Sequence, residues 1–188
     1  MNVPEQHDAL INACKKGQRQ AQGKLYALFA PKMFSVCLRY AGSREEAQDI
    51  LQEGFVKVFE HLDQFKSKGS FEGWMRRIFI NTALGKLRSN QNALRTVTLE
   101  EDTSMLRYAS NETLQHLHTK HLIEMVQSLP NMYRLVFNLY VFEDMKHREI
   151  AALLGISEGT SKSNLSDARK ILQKKIESHS LFIKRKLI

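Results

Sequence analysis

Apolar residues recur at intervals of three and four along most of this chain, and that spacing commits it to helices. Leu10, Ile11, Cys14, Leu25, Leu28, Phe29, Phe34, Cys37 and Leu38 predict helix between about residues 7 and 41, with a break near Gly17 in the polar stretch 15–22. Ala47, Ile50, Leu51, Phe55, Val58, Phe59 and Leu62 line one side of a helix over 43–62, which opens on a Ser43/Glu46 capping box. Residues 63–69 read as a loop and Ser70 as the N-cap of a helix ending near Arg88. From 89 to 112 periodicity fades and Ser, Asn, Thr, Glu and Asp dominate, as in a linker. Helix resumes over 113–128, turns at Pro130, and continues over 132–142, 146–154 and 157 to about 177.

The expected fold is therefore all-α, with two small helical domains joined by a flexible linker. Their expected bounds are 1–88 and 113–178, leaving a tail at 179–188 to which no role attaches. The length fits, because 188 residues accommodate two domains of about 60–90 residues each. Nine Gly and three Pro are too few for a turn-rich β protein. With 43% hydrophobic and 26% charged residues the composition is that of a soluble globular chain. Cys14 and Cys37 alone make no disulfide scaffold, residues 2–8 are polar rather than signal-like, and no apolar run approaches the roughly 20 residues of a membrane span. The expected location is a reducing cytoplasm.

Charge is distributed in blocks. Residues 1–88 hold 14 Lys/Arg against nine Asp/Glu, 89–118 hold two against four, and 119–188 hold 12 against seven. Two basic blocks around an acidic connector suit a polyanion touched at two places, since each phosphate contact releases counterions.

The most informative local pattern is EIAALLGISEGTSKSNLSDARKIL (149–172). Ile150 and Leu154 form the inner face of a first helix, small Ala151 admits a second, and Gly155 takes the sharp turn. Ile156 fills the corner and Ser157 caps the second helix. On that helix Ser161, Leu165, Ala168 and Leu172 share one side, opposite Lys162, Ser163, Ser166, Arg169, Lys170 and Gln173. Short polar residues followed by cations suit a helix entering a major groove, with Lys162, Ser163 and Ser166 toward base edges and Arg169 and Lys170 toward phosphates. Asp167 lies beside this face and is awkward there.

Two further faces stand out. Asp49, Gln52, Glu53, Val56 and Glu60 make an acidic stripe opposite the apolar side of the 43–62 helix, a poor DNA surface that suits a basic protein partner. Arg77, Asn81 and Arg88 line up along the next helix, with Trp74 and Lys86 at the edges and Phe65, Lys66 and Lys68 in the preceding loop. Aromatics, cations and an amide beside a loop could receive unstacked bases, at about 1–3 kcal/mol of stacking each.

DILQEGFVKVF (49–59), SFEGWMRRIFINTALGKLR (70–88), LPNMYRLVFNLYVFE (129–143) and the helix-turn-helix, in that order, resemble a bacterial sigma factor of the extracytoplasmic-function (ECF) type. The pattern as a whole is especially similar to Bacteroidetes-type members, with EGTSKSNLSDARK in place of a more usual EGTVKSRL-like run. The resemblance implies that the 49–60 helix grips the β′ clamp helices of core RNA polymerase and that the helices from 113 to 142 meet the β flap. It implies that the 65–69 loop and 71–88 helix read and melt a promoter's −10 element, and that the 157–173 helix reads the −35 element. An anti-sigma factor is a further partner by resemblance, and neither enzymatic activity nor a cofactor is implied. Ser161 stands where Val is common, Asn164 where Arg is frequent, and Gly85 where Asp is often found. Gly85 weakens the helix by roughly 1 kcal/mol.

Two other functions fit parts of the chain less well. His116, His118 and His121 form an H-x-H-x-x-H run, but adjacent acids and Cys are lacking and His116 points away from the other two on a helix. A stand-alone helix-turn-helix regulator, binding operator DNA as a dimer, leaves the acidic stripe and the 65–88 segment without a task.

Overall fold

The computed structural model describes residues 3–66, 69–94 and 114–186, with side chains described over 8–66, 69–87 and 121–178. Every regular element among them is helical, and the chain divides into two compact units, residues 1–107 and 108–188.

In the first unit α1 (Val3–Lys15) ends where Gly17 adopts φ +73°, a conformation that glycine takes at little cost. Helix α2 (Arg19–Tyr40) follows and α3 (Arg44–Glu60) begins at the expected cap: Ser43 Oγ accepts the Glu46 N–H at 3.1 Å. The Glu46 carboxylate reaches back one residue further than expected, to the Gly42 N–H at 2.6 Å. After a single 3-10 turn (Leu62–Gln64), Ser70 Oγ accepts the Gly73 N–H and α4 (Phe71–Leu94) starts. Helix α2 packs on α3 and α4, α3 packs on α4, and α1 lies against α2. Leu25, Met33, Tyr40, Ile50, Val58, Met75 and Phe79 are buried between them, each stabilising the unit by about 1.5–3 kcal/mol before entropy is counted. Gly54 lets α3 approach α4 closely, since a methyl group there would strike the Phe79 ring.

In the second unit α5 (Leu114–Gln127) turns into α6 (Asn131–Val141) at Pro130. Arg134 fastens the corner, donating to the Gln127 carbonyl and Asn131 Oδ1, both at 2.8 Å. Helix α7 (His147–Leu154) is closed by Gly155 at φ +68°, and α8 (Glu158–Lys186) then packs on α6 and α7. Leu135, Val136, Leu139, Ile150, Leu165 and Ala168 form this second core.

Two helices run further than their sequence signals suggested. Helix α4 passes Arg88 and continues to Leu94, and α8 passes residue 177 and continues to Lys186. Ser and Asn are weak helix formers but not breakers, and neither Gly nor Pro occurs between 86 and 94 or between 160 and 186, so no breaker interrupts the added turns.

Candidate nucleic-acid and partner interfaces

The turn before α8 is built as its residues predict. The Ile156 N–H donates to the Ala151 carbonyl at 3.1 Å, and Ser157 Oγ accepts the Thr160 N–H at 2.9 Å. Ser161, Asn164, Leu165 and Ala168 are buried against α6 and α7. That seating turns Lys162, Ser163, Ser166, Arg169 and Lys170 outward, and all five are exposed. Asn164 is thus a core residue of the motif, and the question of which base it reads does not arise.

The cations on this face are held in different ways. Lys162 pairs with Glu158 at 2.7 Å and holds that carboxyl below the usual carboxylate range by hydrogen bonding and charge. Lys170 pairs with Asp167 at 3.2 Å, so the awkward acid has a local cation that softens its repulsion of phosphate. Exposed pairs of this kind are screened by solvent and yield readily to a phosphate. Arg169 lies instead over the Tyr140 ring of α6, its guanidinium carbon 5.6 Å from the centroid.

On α4, Arg77 and Asn81 are exposed one turn apart, and Trp74 is half-buried one turn before Arg77's neighbour Ile78. The Trp74 ring packs against Phe71 and Phe65, each with centroids 5.5 Å away, and Phe29 contacts Phe71 at 5.6 Å. Phe65, expected near unstacked bases, is only 7% exposed and belongs to this aromatic cluster. Its carbonyl accepts from Lys15 Nζ at 3.1 Å, which anchors the start of the loop to α1. Lys66 is exposed, whereas Lys68 and the Arg88 side chain lie outside the described residues.

On α3, Asp49, Gln52, Val56 and Glu60 are exposed, Val56 to 55%, and Glu53 is half-buried. Lys57 hydrogen-bonds Glu53 at 2.6 Å and holds its carboxyl below the usual range. Lys86, expected with the nucleic-acid residues of α4, reaches toward the stripe instead and lies 3.9 Å from Asp49 and 3.7 Å from Glu53. The two faces of the first unit therefore share this lysine. The Glu53–Lys57 pair was legible as an i,i+4 spacing, but the Lys86 contacts and the Tyr140–Arg169 contact join separate helices and leave no local signal.

Among the described residues no three His, Cys, Asp or Glu side chains gather as a metal site, and no helix is long and apolar enough to cross a membrane. Contrary to the expected lack of an adjacent acid, His121 Nδ1 lies 3.6 Å from the Glu124 carboxylate one turn on, while the His116 and His118 side chains lie outside the described residues.

Comparison with known proteins agrees with this division. Residues 25–93 match the family model for Sigma-70 region 2, and residues 120–172 match that for Sigma-70, region 4. The RNA polymerase sigma-H factor of Pseudomonas aeruginosa is 26% identical over 195 residues, covering 94% of this chain and 97% of that protein. The ECF RNA polymerase sigma-E factor of Escherichia coli K12 is 26% identical over 178 residues, covering 89% and 93%. Among solved structures, the sigma factor RpoE of Bartonella quintana, seen with the anti-sigma factor NepR, shares the fold at a TM-score of 0.53. Its identity is 18%, over 82% of this chain and 96% of that one. With both regions present in order and relatives matched nearly end to end, the chain belongs to the sigma-70 family, as a sigma factor of the ECF type.

Proposed function

We propose that this chain binds core RNA polymerase and directs it to promoters with two short elements, the −35 element read as duplex by α8 and the −10 element melted and captured by the first unit. The observation that carries the reading is the outward face of α8, where three cations and two serines stand exposed behind a glycine-closed turn. In this reading Lys162, Ser163 and Ser166 approach base edges and Arg169 and Lys170 approach phosphates. Lys66, Lys68, Trp74, Arg77, Asn81, Lys86 and Arg88 serve the −10 element, with Phe65 supporting Trp74 from beneath. Asp49, Gln52, Glu53, Val56 and Glu60 engage the β′ clamp helices, and the helices from 113 to 142 meet the β flap. Residues 1–88 and 113–178 act as the two functional domains, 89–112 as the connector between them, and 179–188 as a tail. An anti-sigma factor is a further partner, the protein works in the cytoplasm without enzymatic activity of its own, and the pattern of its four matching segments suits a Bacteroidetes-type origin.

The test separates the two steps. Asn81→Ala should impair open-complex formation, read by permanganate reactivity of unpaired thymines, while leaving duplex affinity unchanged, and Trp74→Ala should do the same in protein that retains its helical melting transition. Arg169→Ala should lower duplex affinity and reduce the salt slope by about one. Equal losses on both steps from all three substitutions would contradict the division of labour.

A further inference from the structure

Of the three exposed cations on the groove-facing side of α8, Lys162 and Lys170 have carboxylate partners within one turn of their own helix, while Arg169 is held from another helix. Its guanidinium lies over Tyr140, at the end of α6 and 36% exposed. The Tyr140 ring is itself stacked on His147, with centroids 4.7 Å apart and planes inclined by 24°. His147 opens α7, and its Nδ1 lies 2.9 Å from Oγ of Ser161, which is fully buried on the inner side of α8. Ser161 and Arg169 are eight residues apart on that helix, about 12 Å along its axis. A relay of contacts thus leaves α8 at Ser161, passes through α7 and α6, and returns to α8 at Arg169.

We infer that Tyr140 is a positioning residue for Arg169, holding its guanidinium on the groove-facing side of α8 so that its long side chain is ordered before it meets a phosphate. His147, pinned by Ser161, sets the orientation of the Tyr140 ring. An arginine side chain loses substantial rotamer freedom when it is fixed, so ordering it in the free protein removes that cost from the binding step. This explains the serine at 161: a valine there could fill the same space but could not hold the imidazole. The inference rests on the phosphate-contact role proposed for Arg169, and the experiment distinguishes the two.

The measurement is affinity of the full chain for a mixed-sequence DNA duplex a few helical turns long, at several salt concentrations, for Tyr140→Phe, Tyr140→Leu, Arg169→Ala and the Tyr140→Leu/Arg169→Ala double variant. Tyr140→Phe retains the ring face and should bind as the unaltered chain does. Tyr140→Leu should weaken binding by about two- to fivefold, the scale of one exposed cation–π contact. In the Arg169→Ala background the same substitution should change nothing further, because there is no guanidinium left to place. A loss from Tyr140→Leu that is equally large with and without Arg169 would overturn the inference, as would an unchanged Tyr140→Leu beside a weakened Arg169→Ala. If Arg169→Ala itself binds normally, the phosphate-contact role falls, and the positioning role falls with it. A purely structural role for Tyr140 predicts a lowered melting temperature without the dependence on Arg169, so thermal melts of all four variants accompany the titrations.

Discussion

The Cys37 thiol is 1% exposed in the middle of the first unit, and burial pushes its pKa up to about 12; Cys14, 3% exposed, is raised by burial as well. A raised thiol pKa means that the folded protein holds the proton more tightly than the unfolded chain. The associated stability is complete below the unfolded-chain pKa near 9 and is lost as pH rises toward 12. Since the thiolate is the nucleophile, an alkylating reagent at pH 8 should leave the native protein unmodified and add to both cysteines once denaturant is present. Intact-mass measurement reads this directly, and an adduct on Cys37 in native protein would contradict its burial. Other single residues were less legible from the sequence. Phe65 and Asn164 both lie on segments with the right chemistry for DNA, yet both are buried, because burial is decided by which helix comes to lie against them. Lys86 and Arg169 were recognised as cations, but their neighbours Asp49, Glu53 and Tyr140 are supplied by other helices.

At the scale of single helices, two glycines on the α3–α4 pair make opposite predictions. A methyl group on Gly54 would strike the Phe79 ring, which is 1% exposed and has no room to withdraw. Gly54→Ala should therefore lose about 1–3 kcal/mol to overpacking, more than the ~1 kcal/mol of helix propensity it gains. Gly85 is exposed on α4 with open space around it, so Gly85→Ala should stabilise by up to ~1 kcal/mol. Urea titration followed by circular dichroism reads both, and equal signs would contradict the close approach of α3 to α4. The elements themselves were readable because their signals are short-ranged: apolar period, Ser43, Ser70 and Ser157 caps, and Gly17 and Gly155 turns all act within a few residues. The ends of α4 and α8 were not, since fading periodicity marks where a helix stops burying a face rather than where its hydrogen bonds stop.

Over the whole molecule, the charge pattern and the family regions coincide. The two basic blocks fall on the stretches that match Sigma-70 region 2 and region 4, and the acidic 89–118 block lies mostly between them. The first unit displays an acidic stripe on α3 and exposed Arg77 and Asn81 on α4; the second displays exposed cations on α8. An autonomous repressor would use the α8 face and leave those of α3 and α4 without a task, whereas the proposed polymerase subunit uses all three. That claim is tested by in-vitro transcription of a pool of genomic fragments from the source bacterium with core RNA polymerase, with and without this protein, followed by mapping of transcript 5′ ends. Addition of the protein should produce discrete new start sites, each preceded by the same two short elements at constant spacing. Transcripts that do not depend on the protein, together with tight operator binding in the absence of core enzyme, would contradict it.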